Sequence, residues 1–100
     1  MHTFDFKNRT AIVTGGAQGF GLDVAKRFLD SGAQVFIWDI DEKLLKSAVE
    51  ETKNENLFYN VVDVSNYKDV EKNVSDITLN TNIDILINNA GITGPTTPLW

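Results

Sequence analysis

Residues 14–21 read TGGAQGFG. They close the apolar run TAIVT, residues 10–14, and open into LDVAKRFLDSG. The run before the glycines has the length and apolar content of a buried strand. After them, Leu22, Ala25, Phe28 and Leu29 recur at helical spacing, and Gly32 supplies a stop at about residue 31. A strand that turns through three spaced glycines directly into a helix fixes the first unit of the fold. Gly15 lets the chain leave the strand in a tight turn. Gly19 keeps side chains away from whatever approaches the loop. Gly21 lets the helix pack close to the strand.

Outward from that unit the elements alternate. Residues 34–38 (QVFIW) are rich in β-branched and aromatic side chains and predict a second strand. Asp41 predicts the cap of a helix through EKLLKSAVEET, with Leu44, Leu45, Ala48 and Val49 on one face. Residues 57–62 (LFYNVV) predict a third strand. Ser65 predicts the cap of a helix over 67–79, with Val70, Val74 and Ile77 on its buried face. Residues 84–87 (DILI) predict a fourth strand, and residues 88–100 a loop punctuated by Gly91, Gly94, Pro95 and Pro98. Strands alternating with helices imply a parallel α/β sheet with right-handed crossovers. The expected architecture is a doubly wound, Rossmann-type sheet of four strands in order 3-2-1-4, helices on both faces.

In that order the chain reverses direction at the first strand, and ligands of open α/β sheets bind at the carboxyl ends of strands at this switch point. The glycine loop lies there. Its backbone N–H groups and the positive end of the following helix suit a pyrophosphate. Asp39 follows the second strand, 18 positions beyond Gly21. That is close to the ~20 expected of a carboxylate that takes the ribose hydroxyls of a nucleotide.

Composition narrows the classes. A 42% hydrophobic, 23% charged chain of 100 residues fits one globular domain. Net charge is −5 and no basic patch is visible, which argues against nucleic acid as a partner. With no cysteine, disulfides, thiolate nucleophiles and Cys-based zinc sites are excluded, and the lone His2 sits in the terminus, so no metal site is expected. No apolar stretch reaches bilayer length and no signal-peptide pattern opens the chain, so a cytoplasmic location without membrane contact is the expectation. A phosphate-loop NTPase is ruled out because GGAQGFG lacks the Gly-Lys-Ser/Thr that would reach the β/γ-phosphates.

The loop spacing G-x-x-x-G-x-G resembles the TGxxxGxG fingerprint of the short-chain dehydrogenases/reductases. NNAG, residues 88–91, resembles that family's second signature, and Asp63-Val64 sits where the family contacts adenine. The resemblance runs from about Lys7 to the end of the chain. It implies a phosphate loop lined by Gly15, Gln18, Gly19, Phe20 and Gly21, with Phe20 where the family usually carries isoleucine or leucine. It implies Asp39 on the adenosine ribose with Ile40 beside the adenine. Asp63 and Val64 would flank the adenine ring, and Asn89, Ala90 and Gly91 would wall the nicotinamide-side ribose. The partner so implied is a nicotinamide dinucleotide. The absence of a basic residue in the loop or directly after Asp39 implies NAD in preference to NADP. The longer enzyme would form a dimer or tetramer and act on a small alcohol or carbonyl substrate.

The family's catalytic tyrosine and lysine stand in Y-x-x-x-K. Here Tyr59 is followed at that distance by Asp63 and Tyr67 by Glu71, so no catalytic residue is assigned. The chain is therefore expected to be the N-terminal, cofactor-binding portion of an NAD-dependent oxidoreductase, inactive by itself. The alternative is a stand-alone nucleotide-binding module or an inactive remnant.

Overall fold

The computed structural model describes residues 8–89. Four strands and three helices alternate along them: β1 (Thr10–Thr14), α1 (Gly19–Asp30), β2 (Gln34–Asp39), α2 (Glu42–Thr52), β3 (Leu57–Val61), α3 (Tyr67–Thr78) and β4 (Ile85–Asn88). All strand pairs are parallel and the order is β3-β2-β1-β4, the doubly wound arrangement expected from the alternation.

Strand periodicity decides which side chain meets which layer. Ala11, Val13, Val35 and Ile37 point to one face, where they pack with Ala25 and Leu29 of α1 and Leu45 and Ala48 of α2. Ile12, Phe36 and Trp38 point to the other, where they meet Val70, Val74 and Ile77 of α3. Every residue of β1 is buried, as a central parallel strand covered on both faces requires. Alanines at the first interface bring α1 and α2 close to the sheet, while α3 on the second face meets an indole.

Several boundaries differ from the sequence reading by a residue. β2 extends through Asp39, because the peptide there still pairs with Val61 across the ladder. β3 ends at Val61, and β4 begins at Ile85. Asp84 stays outside β4 because its carboxylate accepts from the Thr10 N–H at 2.9 Å, while its own N–H donates to the Thr10 carbonyl at 2.9 Å. Ser65 does not cap α3. Asn66 does, its side chain accepting from the Asp69 N–H, and the Ser65 hydroxyl donates to Asp63 instead. Asp41 caps α2 as expected, accepting from the N–H groups of Lys43 and Leu44. The glycine stop after α1 also stands: Gly32 has φ 94°.

Candidate cofactor site

β1 ends in a turn that only glycine adopts without strain. Gly15 has φ 65° and Gly19 φ 61°. The first two N–H groups of the turn, those of Gly15 and Gly16, both donate to the Trp38 carbonyl, at 2.7 and 3.3 Å. They tie the loop to the end of β2, so these two of the loop's N–H groups are already paired within the protein. What remains is the first turn of α1. Gln18 stands at its N-cap in an extended conformation and makes no side-chain cap hydrogen bond. α2 and α3, in contrast, are both capped by side chains. The leading amides of α1 thus keep the positive end of a helix open to an anion.

Space around the glycines sorts their roles. A Cβ on Gly19 would meet nothing within 4 Å, so this position faces open space. A Cβ on Gly21 would collide with the Gly15 carbonyl oxygen and lie 2.9 Å from Asn89 Nδ2. Gly16, to which the motif gave no role, is equally confined: a Cβ there would sit 2.6 Å from Ile37 Cγ2 and 2.9 Å from the Val13 carbonyl oxygen. Phe20, by contrast, is largely exposed at the mouth of the loop.

The ends of the other strands gather beside this turn. Asp39 is the last residue of β2, and Asp41, not Asp39, caps α2. The Asp39 Oδ1 accepts from the N–H groups of Ile40 (2.8 Å) and Asp41 (3.3 Å), which fixes the carboxylate at the strand end. Its carbonyl accepts from the Val62 N–H at 3.0 Å. Ile40 is exposed. Beyond β3, Asp63 Oδ1 accepts from the Ser65 hydroxyl at 2.6 Å and the Ser65 N–H at 3.0 Å, and the Asp63 N–H donates to Asp69 at 2.9 Å. Val64, next to it, packs against the cluster containing Trp38. The Ser65 hydroxyl, and secondarily its N–H, hold the Asp63 carboxyl below the usual value of 3.8. Because the folded form is the more acidic one, this contribution is present above the unfolded midpoint and is lost as pH falls through the folded one. Replacing Ser65 by alanine is expected to return the Asp63 midpoint toward 3.8, read by NMR titration of its carboxyl carbon. An unmoved midpoint would show that the hydroxyl is not its cause.

Thr14 joins the fourth strand to this assembly, a residue whose part the sequence reading missed. Its hydroxyl accepts from the Asn89 N–H at 2.9 Å and lies 3.0 Å from Asn88 Oδ1, to which it donates. The Asn89 side-chain amide reaches the Gly15 carbonyl at 3.4 Å. A hydroxyl closing a wholly buried strand needs partners, and that was the available signal. The structure therefore brings Gly15, Gln18, Gly19, Phe20, Gly21, Asp39, Ile40, Asp63, Val64 and Asn89 to the carboxyl edge of one sheet. Ala90 and Gly91 lie outside the described residues. Among the described residues there is no group of three or more His, Cys, Asp or Glu side chains that could hold a metal ion, and no helix is long and apolar enough to cross a membrane.

Comparison with known proteins agrees with this arrangement. The family model for short chain dehydrogenase matches residues 9–99. The 3-oxoacyl-[acyl-carrier-protein] reductase FabG of Chlamydia trachomatis is 40% identical over 90 residues, 86% of this chain and 36% of that protein. The 2-dehydro-3-deoxy-L-rhamnonate dehydrogenase (NAD(+)) of a Sphingomonas species is 38% identical over 96 residues, 95% of this chain and 38% of that protein. Among solved structures, the Pseudomonas aeruginosa RhlG/NADP active-site complex superposes with a TM-score of 0.79 at 31% identity, over 91% of this chain and 38% of that one. The chain spans little more than one third of the length of these relatives. With the glycine turn, the sheet order and the family match in agreement, the chain belongs to the short-chain dehydrogenase family.

Proposed function

We propose that this chain is the cofactor-binding part of an NAD-dependent oxidoreductase that moves a hydride between a nicotinamide and an alcohol or carbonyl carbon. The observation that carries the reading is the N-terminus of α1. It is uncapped by any side chain, its leading turn passes through the open position at Gly19, and the Asp39 carboxylate ends the neighbouring strand. A pyrophosphate suits the first two features and a ribose diol the third. Gln18, Phe20 and Gly21 would offer backbone N–H groups to the phosphates. Asp39 would accept from the adenosine ribose, beside Ile40. Asp63 and Val64 would flank the adenine, and Asn89, Ala90 and Gly91 would border the second ribose.

The preference for NAD rests on charge. A 2′-phosphate would meet the Asp39 carboxylate with Ile40, not a cation, next in the chain. Lys43 is exposed in the first turn of α2. The relatives include both an NAD(+) enzyme and an NADP complex by name, so this residue, not the family, argues the choice. The bound nicotinamide would supply the hydride donor or acceptor. The residues described here bind and orient it. The tyrosine, lysine and serine of the family's chemistry are not assigned among these residues and would be supplied by the remainder of a longer enzyme. Tyr67 has Glu71 in place of the lysine four positions on, and its exposed hydroxyl donates to that carboxylate at 3.4 Å. Relatives named for a 3-oxoacyl-[acyl-carrier-protein] and for a sugar acid support a 3-oxoacyl thioester or a sugar- or polyol-type substrate as the reading, and the family resemblance, not those names, suggests a homo-oligomer in the cytoplasm.

Fluorescence titration tests the reading. The 100-residue chain is expected to bind NADH more tightly than NADPH and to show no NADH formation or consumption with a panel of alcohols and carbonyls. Equal affinity for the two dinucleotides would remove the case for NAD. Turnover that co-purifies with the chain would show that residues 1–100 hold a catalytic group.

A further inference from the structure

Two ties converge on residue 38. On one side of β2 the Trp38 backbone carbonyl accepts from Gly15 and Gly16, the first two amides of the glycine turn. On the other side the indole Nε1–H donates to Asn60 Oδ1 at 3.1 Å, and Asn60 is the residue paired with Trp38 across the β2–β3 ladder. The indole is only 2% exposed and packs with Ile12, Val62 and Ile77 beneath α3. The next residue in the chain is Asp39, whose carbonyl accepts from Val62. Residue 38 therefore links the glycine turn, the end of β2 and the end of β3, one peptide away from the carboxylate.

We propose that Trp38 and Asn60 form a positioning pair that sets the distance between the glycine turn and the Asp39 carboxylate, and through it the discrimination between NAD and NADP. This rests on the dinucleotide reading of the site. The physical argument is the indole N–H. Buried, it requires an acceptor, and Asn60 supplies it. Without that acceptor the ring gains by turning toward water. The ring also borders a cavity lined by Val74, Thr78, Asn82, Ile83 and Leu86, so it has room to move once the tie to Asn60 is lost, and a ring displaced from its rotamer strains its own backbone. The backbone it would strain is the one that bonds Gly15 and Gly16 and continues into Asp39. A hydrogen bond on the face of the sheet thus fixes the geometry at its edge.

The test replaces Asn60 by leucine, similar in size and without an acceptor. The control is Phe36→Leu, on the strand and face of Trp38, which removes the ring stacked on Phe58 at 5.0 Å and leaves the pair intact. Amide hydrogen exchange without ligand is measured first. Gly15, Gly16 and Val62 are expected to exchange about tenfold faster in Asn60→Leu, and no faster in Phe36→Leu than its loss of global stability accounts for. NADH affinity is then expected to fall about 5- to 10-fold in Asn60→Leu with NADPH affinity nearly unchanged, so the preference shrinks. In Phe36→Leu the ratio should hold. Equal exchange in the two variants, or faster exchange with an unchanged NADH/NADPH ratio, overturns the proposal. If the unmodified protein binds neither dinucleotide, the functional reading fails, while the exchange measurement still decides whether the pair sets the turn.

Discussion

Replacing Gly21 by alanine is expected to lower stability by about 2–3 kcal/mol and the melting temperature by about 10–20 °C. The new methyl would enter the space held by the Gly15 carbonyl and crowd the Asn89 amide. Both neighbours are fixed. Gly15 is tied to Trp38 through its N–H, and Asn89 to the Thr14 hydroxyl. The clash cannot be relieved by turning a flexible side chain, so α1 must tilt away from β1. Gly19→Ala is the informative contrast. Its methyl would meet nothing, and the cost is confined to the left-handed φ of 61°, about 1 kcal/mol. That variant should fold, yet on the proposed reading its methyl would project into the space a pyrophosphate would take, so dinucleotide binding should be lost while the melting curve stays cooperative. Circular dichroism melts with NADH titrations separate the two. A Gly21→Ala protein that melts within a few degrees of the original would show that the helix is not held against the turn.

The second large effect is on specificity. Asp39→Ala is expected to narrow the gap between NADH and NADPH by about 5- to 150-fold, equivalent to 1–3 kcal/mol. The sign follows from two losses. NADH gives up the acceptor for its ribose hydroxyls, and NADPH escapes a like charge beside its 2′-phosphate. Since Asp39 already accepts from Ile40 and Asp41 with Oδ1, alanine also frees the turn after β2, which trims NADH affinity further. Parallel titrations at two ionic strengths check the origin. A charge effect shrinks with salt, whereas a loosened turn does not. An unchanged ratio in Asp39→Ala would move the ribose contact elsewhere.

Much of this arrangement was legible before any coordinates. β1 and α1 announce themselves because an apolar run, three spaced glycines and a helical stripe leave one solution. The order of strands follows from alternation and crossover handedness. The parts that escaped depend on side chains meeting across long separations. Nothing local says that the hydroxyl of Thr14 will meet residue 89, or that a tryptophan will find an asparagine 22 positions on. The cap of α3 was misplaced by one residue because Ser65 and Asn66 are both good caps. Only the turn geometry, which brings Ser65 onto Asp63, separates them. Likewise Asp84 reads as the start of a strand until Thr10 claims its carboxylate.

The bonds between β1 and its last-arriving neighbour span 74 and 75 positions in the chain. Closing so long a loop costs more entropy than any other pairing in the sheet, and contacts of this separation form slowly. During synthesis at about 5–20 residues per second, the segment from β1 to β2 leaves the ribosome seconds before β4 does. The glycine turn thus exists for a time with Trp38 at its side but without Asn89 across from it. Maturation is expected to be sequential: the glycine turn and the Asp39 carboxylate are assembled first, and Asn89 beside them last. Pulse labelling during refolding should find the amide of Gly15, bonded to the Trp38 carbonyl, protected before that of Asn89, and simultaneous protection would mean that the four strands collapse in one step.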